Sequence, residues 1–384
     1  MEIRSDEPPV SRALYVMIGG FLGAGKSTAM GRLAGRIQSE GRSVGLITND
    51  QASSLVDTTN LRSQGFDVEE IPGGCFCCRF DSLVEAARNL TDKTRPDVFL
   101  AEPVGSCTDL VASVSYPLRR IYGDRFRIAP FSVLVDPVRA LRVFDLRPGR
   151  GFSSKVIYIY RKQLEEADFI VINKCDVLES DDRARLREAL SESYPGRAIF
   201  EVSARTGEGL EPWFDRITSD EMPGGEAMDV DYEIYADGEA LLGWVNATAR
   251  ISSAGGLDAS AFLERLAAGI QERLASGAAG SVCEDIAHLK MTVMPEGGVG
   301  DIALISLVRQ DYVPELSQRL SAPLLAGELV VNLRAEAAPE VLREAVVEEV
   351  AKHAASHGLE IEIEHLESFR PGRPVPTHRL KTSP

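Results

Sequence analysis

The chain has 384 residues, 44% of them hydrophobic and 26% charged, and a net charge of −16. This length predicts two or three domains, because one hydrophobic core rarely grows beyond about 250 residues. The acidic balance argues against nucleic acid or a membrane surface as a partner, since phosphate contacts need surplus lysine and arginine. The N-terminus is charged and no apolar run reaches the ~20 residues that cross a bilayer. We therefore expect a cytoplasmic protein with reduced thiols.

Six short apolar runs alternate with amphipathic helical stretches in the first half of the chain. They are rich in valine, isoleucine and leucine, and they span residues 13–20, 43–50, 97–105, 129–137, 168–176 and 197–204. Nearly continuous apolar runs are typical of parallel strands that are buried on both faces. We therefore predict a doubly wound, mostly parallel α/β sheet in a domain of residues 12–220.

The pattern changes after residues 219–231, which are acidic and rich in glycine and lack periodicity, as a linker does. Five further strands and two helices follow in the order β-α-β-β-(β)-α-β. The strands are predicted at 242–251, 286–295, 301–309, 327–335 and 359–367, and the helices at 258–276 and 339–357. This order predicts a smaller α+β domain of the ferredoxin-like kind at 231–384, with an extended, solvated tail at 369–384.

A phosphate-binding motif follows the first predicted strand. The segment from Gly20 to Ser27 reads GFLGAGKS, a complete G-x-x-x-x-G-K-[ST] pattern of a P-loop NTPase sheet. In such a loop backbone N–H groups surround phosphate oxygens, the lysine reaches the β- and γ-phosphates, and the serine hydroxyl binds Mg²⁺. The predicted nucleotide-binding residues of this motif are Gly20, Gly23, Ala24, Gly25, Lys26, Ser27 and Thr28.

Two later motifs specify the base. Asn173-Lys174-x-Asp176 follows a predicted strand, and a carboxylate at Asp176 can accept hydrogen bonds from both N–H donors of the guanine Watson–Crick edge. Ser203 and Ala204 begin an S-A-R segment that resembles the loop closing over guanine in GTPases. The order of these motifs after the phosphate motif favours GTP over ATP.

Three of the six cysteines, Cys75, Cys77 and Cys78, lie within one short loop. Thiolates are soft ligands that suit Zn²⁺, Cu⁺ and Co²⁺. Three ligands leave one position open, which favours exchange of the metal over permanent binding. Redox sensing and simple packing remain as alternatives, whereas a disulfide is disfavoured by strain and by a reducing compartment. Cys107 and Cys175 adjoin nucleotide motifs and are predicted to be packing residues.

The histidines give weaker signals. His353 and His357 are four residues apart on a predicted helix and could share a metal, although such pairs are usually solvated. His288 and Cys283 are candidates for a fourth ligand that is supplied across domains or across subunits. No sequence pattern places either of them at the three cysteines.

Two more segments complete a family resemblance. Glu102-x-x-Gly105 ends the third predicted strand, where Ras-like GTPases carry D-x-x-G, and ITNDQASSLVDT occupies residues 47–58. With the phosphate motif, the C-x-C-C cluster and N-K-x-D, these segments resemble the CobW-like metallochaperone GTPases, relatives of UreG and HypB. The resemblance covers roughly residues 13–218, and the C-terminal domain diverges from the family pattern.

The resemblance implies GTP hydrolysis that is coupled to delivery of a transition metal to a client metalloenzyme or cofactor-assembly protein. The thiol ligands favour Zn²⁺ or Co²⁺ as that metal, with other transition metals possible. The resemblance also implies a nucleotide-dependent homodimer and slow hydrolysis without the client. Lys26, Asp50, Glu102 and Gly105 would be catalytic: Glu102 and Asp50 would join Ser27 near Mg²⁺, and the Gly105 amide would sense the γ-phosphate. Asp57 and Asp136 are weaker candidates for the same role, since each could be a cap or turn residue.

Two other functions remain in competition. The chain could be a GTP-switched chaperone for a cobalamin- or metal-dependent enzyme that carries no metal itself. A P-loop kinase acting on a small molecule is disfavoured by the guanine motifs.

Overall fold

A computed structural model describes residues 12–49, 56–277, 283–297 and 301–384. Its first sheet has eight strands: β1 (Ala13–Gly20), β2 (Val44–Asn49), β3 (Val68–Ile71), β4 (Val98–Glu102), β5 (Phe126–Ile128), β6 (Ser132–Val135), β7 (Phe169–Ile172) and β8 (Ala198–Glu201). The strand order is β3-β2-β4-β1-β6-β7-β8, with β5 also paired to β1. Neighbouring strands run parallel.

Helices cover both faces of this sheet. They are α1 (Lys26–Ser39), α2 (Val56–Ser63), α3 (Phe80–Thr94), α4 (Tyr116–Tyr122), α5 (Pro137–Val143), α6 (Ser154–Glu166), α7 (Ser180–Ser193) and α8 (Leu210–Ser219). Successive residues of a strand face opposite sides. In β1, Leu14 and Val16 accordingly pack in one apolar core, and Tyr15 and Met17 pack in the other. The predicted doubly wound parallel sheet is therefore confirmed.

The second sheet is antiparallel and follows the ferredoxin-like order with an added edge. Its strands are β9 (Leu242–Leu257), β10 (Ile286–Pro295), β11 (Ala303–Leu307), β12 (Glu315–Gln318), β13 (Leu324–Glu336) and β14 (Glu360–Phe369). The spatial order is β12-β11-β10-β13-β9-β14. Helices α10 (Ala259–Ser276) and α11 (Pro339–His357) share a core with it. The predicted α+β domain is confirmed, and β12 is an addition to the predicted strands.

A helix that the sequence did not predict connects the two sheets. Helix α9 (Tyr232–Leu241) begins after Asp231, whose carboxylate caps it by accepting from the Glu233 and Ile234 amides. Its Tyr235 is buried in the same core as α6 and β1. The helix therefore packs on the first domain, although it follows the predicted linker. The limits 12–220 and 231–384 stay predictions.

The C-terminal tail runs back across the first domain. The Thr377 amide donates to the Cys77 carbonyl at 2.8 Å, and the Leu380 amide donates to the Ala112 carbonyl at 2.9 Å. Pro371 and Pro374 are buried, while Val375 remains 69% exposed. The prediction of a solvated tail is therefore wrong in part, because backbone hydrogen bonds fasten it to the domain. Within the described ranges, no helix has the length and apolar character to cross a membrane.

A buried carboxylate connects the end of α6 to the loop after β4. The Glu166 side chain accepts from the Thr108 hydroxyl at 3.2 Å and from the Val111 amide at 3.1 Å. Burial raises the pKa of Glu166 from 4.5 to about 8, although these hydrogen bonds oppose the shift. Burial therefore favours the neutral acid in the folded chain.

This carboxylate should make stability depend on pH. An acid with a raised folded-state pKa contributes stability that is complete below pH 4.5 and is lost as pH rises to about 8. The loss is up to about 1.4 kcal/mol per pH unit in that window. In urea unfolding between pH 6 and 7.5, Glu166→Gln should therefore gain stability relative to wild type as pH rises. Exposed Glu192→Gln is the matched control, and a pH-independent difference for Glu166→Gln would contradict the assignment.

Candidate functional site

The phosphate loop joins β1 to α1 and touches the base-recognition motif. Gly25 has φ 91° and is the N-cap of α1. A Cβ at this position would lie 2.4 Å from Asn173 Nδ2, so both the conformation and the contact require glycine. The amide of Asn173 in turn donates to the Ala24 carbonyl at 2.8 Å. The two motifs, nearly 150 residues apart, thus form one surface.

The guanine motifs meet at the same end of the sheet. Asn173 Oδ1 accepts from the Ala204 amide at 2.9 Å, and Asp176 Oδ1 accepts from the Ser203 hydroxyl at 2.6 Å. Lys174 Nζ donates to the Gly23 carbonyl at 2.7 Å. The structure therefore brings together the residues expected to bind the base, and it connects each of them to a neighbouring loop.

Asp136 stabilises this region through a helix cap and two ion pairs. Its carboxylate caps α5 by accepting from the Arg139 amide, and it pairs with Lys174 at 2.9 Å and with Arg309 of the second domain at 3.1 Å. Burial alone would raise the pKa of Asp136, but the charges of Lys174, Arg309 and Arg139 outweigh it and hold that pKa well below its ordinary value. The cap role that the sequence left open is therefore present.

The phosphate end of the pocket contains a buried carboxylate. The Ser27 hydroxyl donates to Glu102 Oε1 at 3.2 Å, and Lys26 Nζ lies 3.7 Å from the same oxygen. Burial, with the charge of Asp57, raises the pKa of Glu102, whereas burial lowers the pKa of Lys26. Glu102 Oε2 is buried and accepts no hydrogen bond from the described residues. A hydroxyl beside an unpartnered carboxylate oxygen is a donor set that fits Mg²⁺.

A second carboxylate reaches this pocket together with a lysine and a histidine from the second domain. Asp57 pairs with Lys290 of β10, with both carboxylate oxygens 2.6 Å from Nζ. Burial would raise the pKa of Asp57, but the charge and hydrogen bonds of Lys290 lower it. His288, also on β10, lines the pocket beside Lys290. The C-terminal sheet thus closes one side of the phosphate site.

The remaining predicted nucleotide residues take different positions. Gly105 lines the phosphate pocket with Gly23 and Gly25, whereas Thr28 is exposed on the first turn of α1. Gly20 ends β1. Asp50 lies outside the described residues.

The three clustered cysteines converge. The sulfur–sulfur distances are 2.9 Å for Cys75–Cys77, 3.2 Å for Cys75–Cys78 and 3.7 Å for Cys77–Cys78. Within the described chain they are the one group of three or more metal-ligating side chains with mutually close ligand atoms. Thiols at these separations have the donor type and the convergence that a Zn²⁺ or Co²⁺ site needs.

An asparagine at the end of β2 holds the cysteine loop in place. Asn49 Nδ2 donates to the Ile71 and Gly74 carbonyls at 2.9 and 2.7 Å, and Asn49 Oδ1 accepts from the Phe76 amide at 2.9 Å. Its side chain is buried. Asn49 also lines the phosphate pocket, so one residue contacts both sites.

Two further features surround the thiols. Cys107 is buried in the same apolar core as Cys75 and Cys77. Hydrogen bonds from Cys107, Cys77 and Cys78 hold the pKa of Cys75 well below its ordinary value, and the pKa of Cys107 is correspondingly raised. On the outer side, the Val375 amide of the tail donates to Cys78 Sγ at 3.2 Å.

The weaker ligand candidates lie elsewhere. Cys283 is buried in the second core, and His288 is buried at the phosphate pocket. His353 is buried against Phe262. The side chain of His357 lies outside the described part of the structure.

Comparison with known proteins bears on the same segment. Residues 14–201 match the family model described as the CobW/HypB/UreG nucleotide-binding domain. This segment is a CobW/HypB/UreG domain. The match contains the phosphate motif, the three cysteines and Asn173-Lys174-x-Asp176.

The individual relatives match different fractions of this chain and of their own length. The chain is 30% identical over 213 residues to a zinc chaperone CobW from a Sinorhizobium species, covering 50% of this chain and 59% of the relative. It is 29% identical over 161 residues to the zinc chaperone YeiR from Escherichia coli, covering 42% and 46%. It is 28% identical over 218 residues to a urease accessory protein UreG 2 from a Bradyrhizobium species, covering 56% and 93%. The chain thus spans about half the length of the two zinc chaperones.

Sequence reasoning missed several residues of the site. Lys290 and His288 reach the phosphate pocket from a sheet more than 180 residues downstream of Glu102, and no local motif announces such a contact. Asn49 stands directly before Asp50 in the segment 47–58, so that segment could have indicated Asn49 as well as Asp50.

Guanine recognition can be tested at Asp176. Replacing its carboxylate with an amide removes two charge-assisted hydrogen bonds to guanine, so Asp176→Asn should weaken GTP binding about 100-fold. The same variant should bind XTP better than wild type does, because the xanthine edge presents an acceptor to the new amide. Fluorescent-nucleotide titration measures both affinities.

Asp181→Asn, on an exposed turn of α7, is the matched control. Unchanged GTP affinity in Asp176→Asn would remove the guanine assignment.

Proposed function

We propose that the chain is a GTP-hydrolysing metallochaperone. It would bind Zn²⁺ or Co²⁺ on Cys75, Cys77 and Cys78 and deliver the ion to a client metalloenzyme or cofactor-assembly protein. The observation that carries the proposal is the convergence of these three thiols, with sulfur–sulfur distances of 2.9 to 3.7 Å, beside a phosphate pocket. Two relatives are named zinc chaperones, which favours Zn²⁺ over Co²⁺ as the transported ion.

The nucleotide chemistry would rest on charge placement. Lys26 would neutralise the β- and γ-phosphates, while Ser27 and Glu102 would hold Mg²⁺, which supplies further positive charge when bound. Asp50 is proposed to share the Mg²⁺ or to position the attacking water, and Gly105 would contact the γ-phosphate. Because phosphoryl transfer depends on positioning and charge, an incomplete site hydrolyses slowly. A client would complete it.

The two sites share supports, which favours coupling between them. Asn49 contacts the cysteine loop and lines the phosphate pocket. The loop after Glu102 lines the phosphate pocket, and its Cys107 is buried in the same apolar core as Cys75 and Cys77. A change at the γ-phosphate would therefore affect the metal site through two short connections, Asn49 and the loop after Glu102.

The partners are proposed from the same geometry. Client docking through the C-terminal domain would reach the nucleotide, since Lys290 and His288 line the phosphate pocket. A nucleotide-dependent homodimer and a cytoplasmic location are proposed on the family resemblance. The alternative is a GTP-switched chaperone for a cobalamin- or metal-dependent enzyme that carries no metal, and it predicts that the thiols are dispensable.

Metal carriage can be tested by removing the three thiols together. The wild-type chain should bind one Zn²⁺ anaerobically and release phosphate from GTP. Changing Cys75, Cys77 and Cys78 to serine should lower Zn²⁺ affinity at least about 1,000-fold, because the thiolates supply most of the binding free energy. Competition with a chromogenic chelator measures the affinity.

Cys283→Ser is the matched control, since this cysteine is buried in the other core. GTP binding by the triple variant verifies its folding. Unchanged Zn²⁺ affinity in the triple variant would contradict metal carriage on these cysteines and favour the chaperone that carries no metal.

A further inference from the structure

The C-terminal tail covers the exposed side of the thiol cluster. Cys75 and Cys77 are buried in the core of the first domain, whereas Cys78 is half-buried. The tail crosses at Cys78, where the Val375 amide donates to its Sγ and the Thr377 hydroxyl donates to its carbonyl, both at 3.2 Å. The Thr377 amide also donates to the Cys77 carbonyl at 2.8 Å. A group that approaches the cluster from the exposed side of Cys78 therefore meets the tail.

A buried ion pair fastens the tail just beyond the cysteines. Arg379 donates to both carboxylate oxygens of Asp109, at 2.7 and 3.3 Å, and to the Met228 carbonyl at 3.2 Å. The side chain of Asp109 is only 1% exposed. A buried carboxylate that loses its cationic partner keeps a charge without compensation, so breaking such a pair is costly. Arg379 and Asp109 are therefore the strongest contact between the tail and the domain.

We propose that residues 371–384 form a strap that controls access to the metal on Cys75, Cys77 and Cys78, and that the Arg379–Asp109 pair is the latch that holds it closed. This inference rests on the proposed function, because the metal is the one that these three cysteines would carry. Transfer requires a donor atom of the client to approach the ion. The client would therefore displace the strap before it receives the metal.

The two halves of the latch differ in rigidity. Asp109 has φ 64°, and its carbonyl accepts from both the amide and the hydroxyl of Ser113, at 3.0 and 2.6 Å. Residues 103–116 around it are all buried. The strap, which the structure describes throughout, contains no helix or strand, and its Val375 is 69% exposed. Opening would therefore detach the strap from a surface that stays in place.

The remaining contacts of the strap are backbone hydrogen bonds near its end. The Leu380 amide donates to the Ala112 carbonyl at 2.9 Å, and the Lys381 carbonyl accepts from the Ala227 amide at 2.8 Å. Each such bond contributes little net free energy, because the same groups bond to water when the strap is open. The latch should therefore determine how often the strap opens.

The test compares wild type, Arg379→Gln and Arg373→Gln as full-length chains. Arg373 is the matched control, because it lies in the same strap but pairs with Glu233 at the surface, where an ion pair contributes little. In metal-free protein, iodoacetamide followed by mass spectrometry reports the labelling of Cys78. Arg379→Gln should speed this labelling at least about tenfold, and Arg373→Gln should stay within about twofold of wild type. Transfer of Zn²⁺ to a chromogenic chelator should follow the same order.

Hydrogen exchange on the wild-type chain gives a second answer that does not depend on a variant folding. The Thr377 and Leu380 amides should be protected, and the opening equilibrium that they report should agree within about threefold with the one from Cys78 labelling. Strap amides without protection would overturn the proposal, and so would Cys78 labelling that is the same in Arg379→Gln and wild type.

The outcomes separate the strap from the proposed function. If Arg379→Gln opens the strap but transfers Zn²⁺ at the wild-type rate, control of metal access by the strap fails and the proposed function stands. If the variant that lacks all three thiols retains Zn²⁺, the proposed function itself fails, whatever the labelling of Cys78 shows.

Discussion

The rest of the structure depends on the short buried segment that leaves the carboxyl end of β4. Parallel strands bring their carboxyl ends to one edge of a sheet, which is where ligand sites of such sheets form. Here the segment begins at Glu102, whose carboxylate meets Lys26 and Ser27, and it passes Gly105 and reaches Cys107 within five residues. The phosphate pocket and the apolar core that contains the three thiols therefore share one buried segment, and the coupling that we propose between the two sites would pass through it.

The second domain takes part in this arrangement. Lys290 of β10 pairs with Asp57 in the phosphate pocket, and Arg139 of the first domain donates to the Ile286 carbonyl at 3.1 Å. The tail returns to the cysteine loop, where Val375 donates to Cys78. These contacts join distant parts of the chain. We therefore expect binding at either site to affect the C-terminal sheet.

Local sequence features predicted most of the fold and much of the site, and tertiary contacts account for the rest. The parallel sheet, the ferredoxin-like domain and the motifs around Lys26, Asp176 and Cys75 follow from periodicity and from chemistry within a few residues. Strands β3 and β5 are short and partly polar, and α9 is a short helix whose burial comes from packing on α6, so no apolar pattern marks them. The burial of Cys107 in the core that contains Cys75, and the return of the tail, arise only when the chain is folded. The prolines of the tail indicated an extended conformation, but they did not indicate which surface the tail binds.

We propose that the nucleotide and metal sites are energetically coupled, and linkage makes this coupling measurable from either side. The most direct measurement is the affinity of the wild-type chain for a non-hydrolysable GTP analogue, with and without one equivalent of Zn²⁺, with GDP measured in parallel. Coupling through the segment after Glu102 predicts that Zn²⁺ changes the affinity for the GTP analogue by about tenfold relative to its effect on GDP. Identical effects of Zn²⁺ on the two affinities would contradict coupling between the two sites.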